Sequence, residues 1–260
     1  MELIDFLDVL GDAASNAILP HFRTRMDELG ELDNKETGAG FDPVTIADKA
    51  GEAAMRALIG EHFPDHGILG EEYDNIRLDA DNVWILDPID GTRAFISGLP
   101  VWGVLIGHKQ YGKAHVGMMA QPFTGERFVG DCNAAWLKRA GETTVLKTRA
   151  CSSLETATLF TTDPDLFTGI AAQKYQAIEK QVRLNRYGVD CYAFAMLAAG
   201  HVDIVIEDDL KPFDIAALIP IIEGAGGCIT TWDGGNPVDG GAIVASGDPA
   251  LHEQLLKVLA

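Results

Sequence analysis

Apolar residues recur at helical spacing near the start of the chain (Leu3, Phe6, Leu7, Leu10, Ala14, Ile18), which predicts an opening amphipathic helix over residues 3–28. Residues 30–41 are polar and glycine-rich and predict a loop or short hairpin. A second helix is expected over 45–62, ended by Pro64. The apolar run 83–86 predicts a short strand that delivers the segment Asp87-Pro88-Ile89-Asp90-Gly91-Thr92, with Pro88 stopping ladder pairing. Further strands are expected over 101–108, 113–120 and 126–130, punctuated as in an antiparallel meander. The second half alternates differently: strand 157–161, helix 165–180, helix 189–199, strand 202–207, helix 214–225, strands 228–231 and 242–246, and a closing helix 249–259. Pro220 falls inside the helix expected over 214–225, so either that helix bends or its boundaries differ. The pattern predicts an α/β layered fold with mixed sheets. It forms a single domain over 1–260, with pseudo-halves of about 1–145 and 146–260 and no linker between them.

Composition narrows the partners. With 260 residues, 47% of them hydrophobic, the chain can bury a sizeable core. The net charge of −19 repels nucleic acid and anionic membranes, so neither is an expected partner. Most of that charge reads as solubility. Some of the acids are candidates to hold cations, and a bound metal would reverse the local sign for an anionic substrate. Cys132, Cys151, Cys191 and Cys228 form no C-x-x-C pair, which predicts reduced thiols rather than a zinc knuckle. The first residues lack the basic and apolar regions of a signal peptide, and no run approaches the roughly 20 apolar residues of a membrane span. A cytoplasmic protein is expected.

The candidate chemistry is acidic. Glu71, Asp87, Asp90 and Asp214 each end an apolar element beside small or turn-forming residues, and Asp48 sits in the second expected helix. In the segment 87–92, a strand brings in Asp87 and a turn at Pro88 returns Asp90 toward it. Two carboxylates and an intervening carbonyl then face one point. Gly91-Thr92 opens the next turn, whose backbone N–H groups attract phosphate. Oxygen donors without His or Cys suit a hard cation such as Mg2+. The same segment reads equally as an acidic turn capped by Asp and Thr. Asp214 alone reads as a helix N-cap, Glu71 and Glu72 alone read as solvated surface, and Asp48 alone is an ordinary acid on a helix among charged neighbours. Histidine offers no rival: His62 and His66 are separated by Pro64, and no H-E-x-x-H, G-x-S-x-G or Walker A pattern occurs.

Taken together, Gly70-Glu71-Glu72, residues 84–92 (WILDPIDGT), Asp214-Ile215-Ala216-Ala217 and Glu223-Gly224-Ala225-Gly226-Gly227 resemble the signatures of the inositol monophosphatase family in order and spacing. Asp42-Pro43-Val44-Thr45, residues 64–72, residues 90–100, residues 187–192 and Gly200-His201-Val202-Asp203 resemble its histidinol-phosphatase branch, which acts in histidine biosynthesis. The resemblance implies an αβαβα sandwich, a homodimer, and a phosphate monoester hydrolysed by direct attack of water. It implies one Mg2+ on Glu71, Asp87 and the Ile89 carbonyl, a second on Asp87, Asp90 and Asp214, and a third, weaker ion near Glu71. It also implies that Thr92, supported by Asp48, orients the water and that the Gly91 and Thr92 amides receive the phosphate.

Arg93-Ala94 and Phe213 depart from the inositol branch, which carries Thr-Asn and Trp there. L-histidinol phosphate carries an amine and an imidazole, so acceptors are expected in its pocket. Glu207 and Asp190 are the candidates, with Arg93 beside them. Asp190 reads equally as a helix N-cap, and the other reading of Glu207 is a solvated strand end. The rivals to a histidinol-phosphatase are a phosphatase of inositol or sugar phosphates and an inactive acidic metal-binding module.

Overall fold

The computed structural model describes residues 2–24, 33–34, 43–44 and 46–260. Helix α1 (Leu3–Ile18) buries Phe6, Leu7, Leu10, Ala14 and Ile18. It ends earlier than its apolar spacing predicts, because Pro20 carries the chain into a 3-10 turn at Leu19–His21. Residues 25–28 of that expected helix lie outside the described residues. So do residues 30–41, apart from β1 (Asp33–Asn34), which pairs antiparallel with β2 (Pro43–Val44). Helix α2 (Ile46–His62) follows.

A seven-stranded sheet comes next, in the order β3 (Gly67–Gly70), β4 (Asn82–Asp90), β5 (Gly103–Gln110), β6 (Lys113–Gln121), β7 (Glu126–Gly130), β8 (Ala135–Arg139) and β9 (Glu142–Val145). The short helix α3 (Thr92–Ile96) interrupts it. Pairing is antiparallel except between β3 and β4. The second sheet has five strands in the order β11-β10-β12-β14-β13. They are β10 (Thr158–Thr161), β11 (Leu184–Tyr187), β12 (Ile204–Leu210), β13 (Cys228–Thr231) and β14 (Gly241–Ser246). Its helices are α4 (Gly169–Glu179), α5 (Asp190–Ala198), α6 (Pro212–Ile215), α7 (Leu218–Gly224) and α8 (Pro249–Leu259).

The elements stack as an αβαβα sandwich. Helices α1 and α2 cover one face of the seven-stranded sheet. Helices α5, α6 and α7 lie between the two sheets, in a core built from Leu105, Met119, Phe128, Phe194, Val205 and Ile221 among others. Helices α4 and α8 close the outer face around Tyr175, Ile206, Trp232 and Leu251. The middle layer packs unusually close to the first sheet. A Cβ at Gly117 would run into the backbone of Ala217, and one at Gly130 into that of Pro220 and Ile221. Glycine at these positions lets the α6–α7 segment lie flat on β6 and β7, and so fixes where Asp214 can reach. No helix among the described residues is long and apolar enough to cross a membrane.

Several expected elements differ, each for a local reason. Strand β4 runs on to Asp90 instead of stopping before Asp87, because the register slips between Asp87 and Asp90 and accommodates Pro88 in a bulge. The helix expected over 165–180 begins only at Gly169, after a separate 3-10 turn at Pro164–Leu166. The helix expected over 214–225 breaks into α6 and α7. Pro220 is the third residue of α7, where its missing N–H has no intrahelical partner to lose. Strands β3, β8, β9 and β11 were not expected. Three of them, β3, β9 and β11, lie at sheet edges, and most residues of the last two are exposed, so those two carry little hydrophobic alternation.

One buried group at the far end of β4 and β5 has a stability consequence. His108 is 1% exposed, lies against Trp84 with ring centroids 4.8 Å apart, and has no hydrogen-bond partner on either ring nitrogen. Burial, with His115 and His66 nearby, pushes its pKa down to about 3. The unfolded chain therefore binds a proton that the folded chain refuses between pH 6.5 and 3. Stability is full above the unfolded value and falls as the pH drops below it, by up to about 1.4 kcal/mol per pH unit. His108→Leu is expected to flatten the fall of Tm between pH 6.5 and 4, measured by thermal unfolding across that range.

Candidate active site

A cleft of about 410 Å3 opens where the carboxyl end of β4 meets the end of β12 and the start of α6. The β4 bulge creates its floor. Asp87 and Asp90 are three residues apart and would point to opposite faces of a regular strand. Asp87 pairs with Leu105 and Asp90 with Gly103, so one extra residue sits on β4, and both aspartates turn the same way. The Asp87 carboxylate accepts the Ile89 N–H at 2.9 Å, which tightens the bend.

Asp214 arrives from the other side, at the third position of α6. It is not the N-cap that its neighbours alone suggest. Lys211 is the cap, and the Asp214 carboxylate accepts the Lys211 N–H at 2.6 Å. One carboxylate oxygen each from Asp87, Asp90 and Asp214 then lie within 4.8 Å of one another. Asp87 is 2% exposed. Its pKa is pushed well up, first by burial and then by the charges of Glu71, Asp90 and Asp214. Asp90 is pushed up by burial and by Asp190 and Asp214, although its carboxylate accepts the Cys191 N–H at 2.6 Å. Three carboxylates this close repel one another, and a cation among them removes the repulsion.

The remaining predicted residues fall as follows. Glu71 follows β3 and lines the same cleft, against Asp87. Gly91 is left-handed at φ 86°, a conformation that strains a side chain, and a Cβ there would crowd the Asp190 carboxylate at 3.1 Å. Thr92 opens α3, and its hydroxyl donates to the Ile89 carbonyl at 3.0 Å. Ile89, Gly91, Thr92 and Arg93 all line the cleft. Asp190 does too, but it is not a helix cap. Val189 holds that position, and Asp190 is the first helical residue, at φ 45°. Burial pushes its pKa up to about 6, with Arg93 opposing. Asp48 is buried, 1% exposed in the first turn of α2, and it is not among the residues lining the cleft.

Glu207 is not a solvated strand end. It is 4% exposed on β12, lines the cleft, and accepts from the Thr162 N–H at 2.7 Å and from the Thr161 and Thr162 hydroxyls at 3.1 Å each. Burial nevertheless pushes its pKa up to about 8, against the pull of those hydrogen bonds. Sequence reasoning missed Thr161 and Thr162. Thr161 ends β10 and Thr162 follows it; β10 runs parallel to β12, and ligand groups gather at the carboxyl ends of parallel strands. It also missed Asp208, Asp209 and Lys211 on the cleft wall, where Lys211 pairs with Asp209 at 2.9 Å. A second cavity of about 300 Å3 lies by α1 and β6–β8. Its Arg127 and Lys138 are paired with Asp8, and its Arg139 with Glu126.

Residues 2–260 match the inositol monophosphatase family. The bifunctional phosphatase IMPL2, chloroplastic, of Arabidopsis thaliana is 42% identical over 263 residues, covering 97% of this chain and 73% of that protein. The histidinol-phosphatase of Mycobacterium tuberculosis is 31% identical over 252 residues, covering 90% of this chain and 94% of the relative. Among solved structures, an inositol monophosphatase from Zymomonas mobilis superposes with a TM-score of 0.86 at 39% identity, covering 98% of this chain and 96% of that one.

Proposed function

This chain belongs to the inositol monophosphatase family, a family of metal-dependent phosphoric monoester hydrolases, and on that premise we propose that it hydrolyses L-histidinol phosphate to L-histidinol and inorganic phosphate. The observation that carries the substrate is Glu207. Four acids line the cleft beyond the metal-facing set (Asp190, Glu207, Asp208, Asp209), against two cations, Arg93 and Lys211. A phosphate substrate with a neutral leaving group gains nothing from that surplus. One with a cationic leaving group does, and Glu207 is a buried carboxylate held by three donors and facing the cleft. In this reading Glu207 receives the ammonium, and Asp190 the imidazole.

The acids fit a hard divalent cation. All the side-chain donors are carboxylate oxygens, with the Ile89 carbonyl between them and no His or Cys in the cluster. Glu71, Asp87 and the Ile89 carbonyl are assigned to one ion, and Asp87, Asp90 and Asp214 to a second, with Glu71 also serving a third, weaker one. When bound, Mg2+ supplies neutralisation of the phosphate charge and a lowered pKa for water. Thr92 donates its proton to the Ile89 carbonyl, so its oxygen lone pairs are directed to accept from the attacking water. Asp48 supports that orientation from α2. The Gly91 and Thr92 amides receive the phosphate. The reading extends to the cytoplasm as compartment and a homodimer as assembly.

The test is phosphate release from L-histidinol phosphate, inositol 1-phosphate and sugar phosphates, with Mg2+ and with chelator. At least about a tenfold higher kcat/KM for L-histidinol phosphate is expected, corresponding to about 1.4 kcal/mol of differential binding to Glu207 and its neighbours. Preference for inositol 1-phosphate or a sugar phosphate would assign the cleft to that substrate instead.

A further inference from the structure

Helix α2 carries a buried pair that the proposed chemistry does not use. Glu52 is 0% exposed. One of its carboxylate oxygens accepts the Arg56 Nε–H at 2.6 Å, and the other accepts the Glu72 backbone N–H at 2.7 Å. Arg56 also reaches the same loop, donating from its two terminal nitrogens to the Asp74 and Tyr73 carbonyls at 3.0 Å each. The guanidinium also stands 5.7 Å from the Tyr73 ring centroid, and the Tyr73 hydroxyl donates to the Lys49 carbonyl at 3.2 Å. Three consecutive residues after Glu71 are thus fastened to one face of α2. On the near side of Glu71 the chain has no slack either, because a Cβ at Gly70 would run into the Glu52 carboxylate and the Arg56 guanidinium.

A buried carboxylate is costly without partners, and this one divides its hydrogen bonds between Arg56 on its own helix and the backbone of the loop. The loop's one residue in the cleft is Glu71. Asp48 lies one helical turn before Glu52 and is also buried, so a single rigid helix sets the position of both groups.

We propose that Glu52 and Arg56 are positioning residues that fix how far Glu71 reaches toward Asp87, and thereby set the affinity of the carboxylate cluster for divalent metal. The proposal rests on Glu71 being a metal ligand. An unfastened loop lets the Glu71 carboxylate withdraw toward water, and the remaining acids then hold the ion with one oxygen donor fewer.

The test reads metal binding directly, by titrating metal-free protein with Mn2+ and following free Mn2+ by electron paramagnetic resonance. Glu52→Gln sets an amide NH2 against either the Glu72 N–H or the Arg56 N–H, and weakening of Mn2+ binding by about tenfold is expected. Arg56→Gln keeps the Glu52 carboxylate but releases the two carbonyls, and the same direction is expected. It carries the test alone if Glu52→Gln does not fold. Glu71→Gln is the control, with a loss of about a hundredfold. If Glu71→Gln weakens binding while the Glu52 and Arg56 variants lower Tm but bind Mn2+ like wild type, the pair only stabilises the fold and the proposal is overturned. If Glu71→Gln leaves Mn2+ binding unchanged, the underlying assignment of Glu71 is wrong.

Discussion

Asp90→Asn is expected to lower kcat by at least about a thousandfold, some 4 kcal/mol of transition-state stabilisation, while making the metal-free protein more stable than wild type. The two effects have one cause. One oxygen each from Asp87, Asp90 and Asp214 lie within 4.8 Å, and Asp87 is almost fully buried. Without a cation these charges repel, and removing one relieves the cluster. The asparagine keeps an oxygen to accept the Cys191 N–H, so the local fold survives. A relief of about 1 kcal/mol corresponds to a rise of roughly 2–4 °C in Tm for a chain of this size. With saturating Mg2+ the order reverses, because wild type gains stability from binding and the variant gains less. Thermal unfolding of both proteins, with and without Mg2+, reads the crossover. Equal Mg2+ stabilisation of the two would count against Asp90 as a ligand.

Above pH 8, where Glu207 is ionised, Glu207→Gln is expected to lower kcat/KM for L-histidinol phosphate by about a hundredfold and to leave turnover of inositol 1-phosphate within about threefold. A hydrogen bond between a buried carboxylate and an ammonium contributes about 1.5–3 kcal/mol, which spans that range. The glutamine still presents an oxygen to Thr162, and the Thr161 hydroxyl can turn to accept from its NH2, so the change is confined to charge. The pH profile gives a second readout. Burial pushes Glu207 up to about 8, so in the free protein it is mostly protonated at neutral pH. Only the ionised form pairs with an ammonium. In wild type, kcat/KM for the cationic substrate therefore rises as pH climbs through about 8, and in Glu207→Gln that rise is absent. An unchanged Michaelis constant and an unchanged profile would remove Glu207 from the substrate pocket.

The cleft was legible in the sequence to the extent that it is local. The segment 87–92 announces two carboxylates and a turn, and the closing helix is read to the residue because Asp248 caps it and Pro249 starts it. What stayed hidden depends on partners distant in sequence. The extra residue that turns Asp87 and Asp90 to one side is visible only in the β4–β5 register. Asp214 reads as a cap from its neighbours, and its meeting with Asp87 is set by glycines on β6 and β7 that admit the α6–α7 backbone. Glu207 looks like the end of a strand running into Asp208 and Asp209. The hydrogen bonds that hold it come from Thr161 and Thr162, 46 and 45 residues away. Glu52 shows in the sequence only as one end of an ordinary i,i+4 pair with Arg56, because its other partner, the Glu72 N–H, lies 20 residues away.

The most direct test of the carboxylate-centred account is anomalous diffraction from crystals soaked with Mn2+ and inorganic phosphate. Mn2+ peaks are expected bonded to Asp87, Asp90 and Asp214 and to Glu71 and the Ile89 carbonyl, with the phosphate against the start of α3. Crystals that still hydrolyse substrate but show no ion among these carboxylates would contradict it.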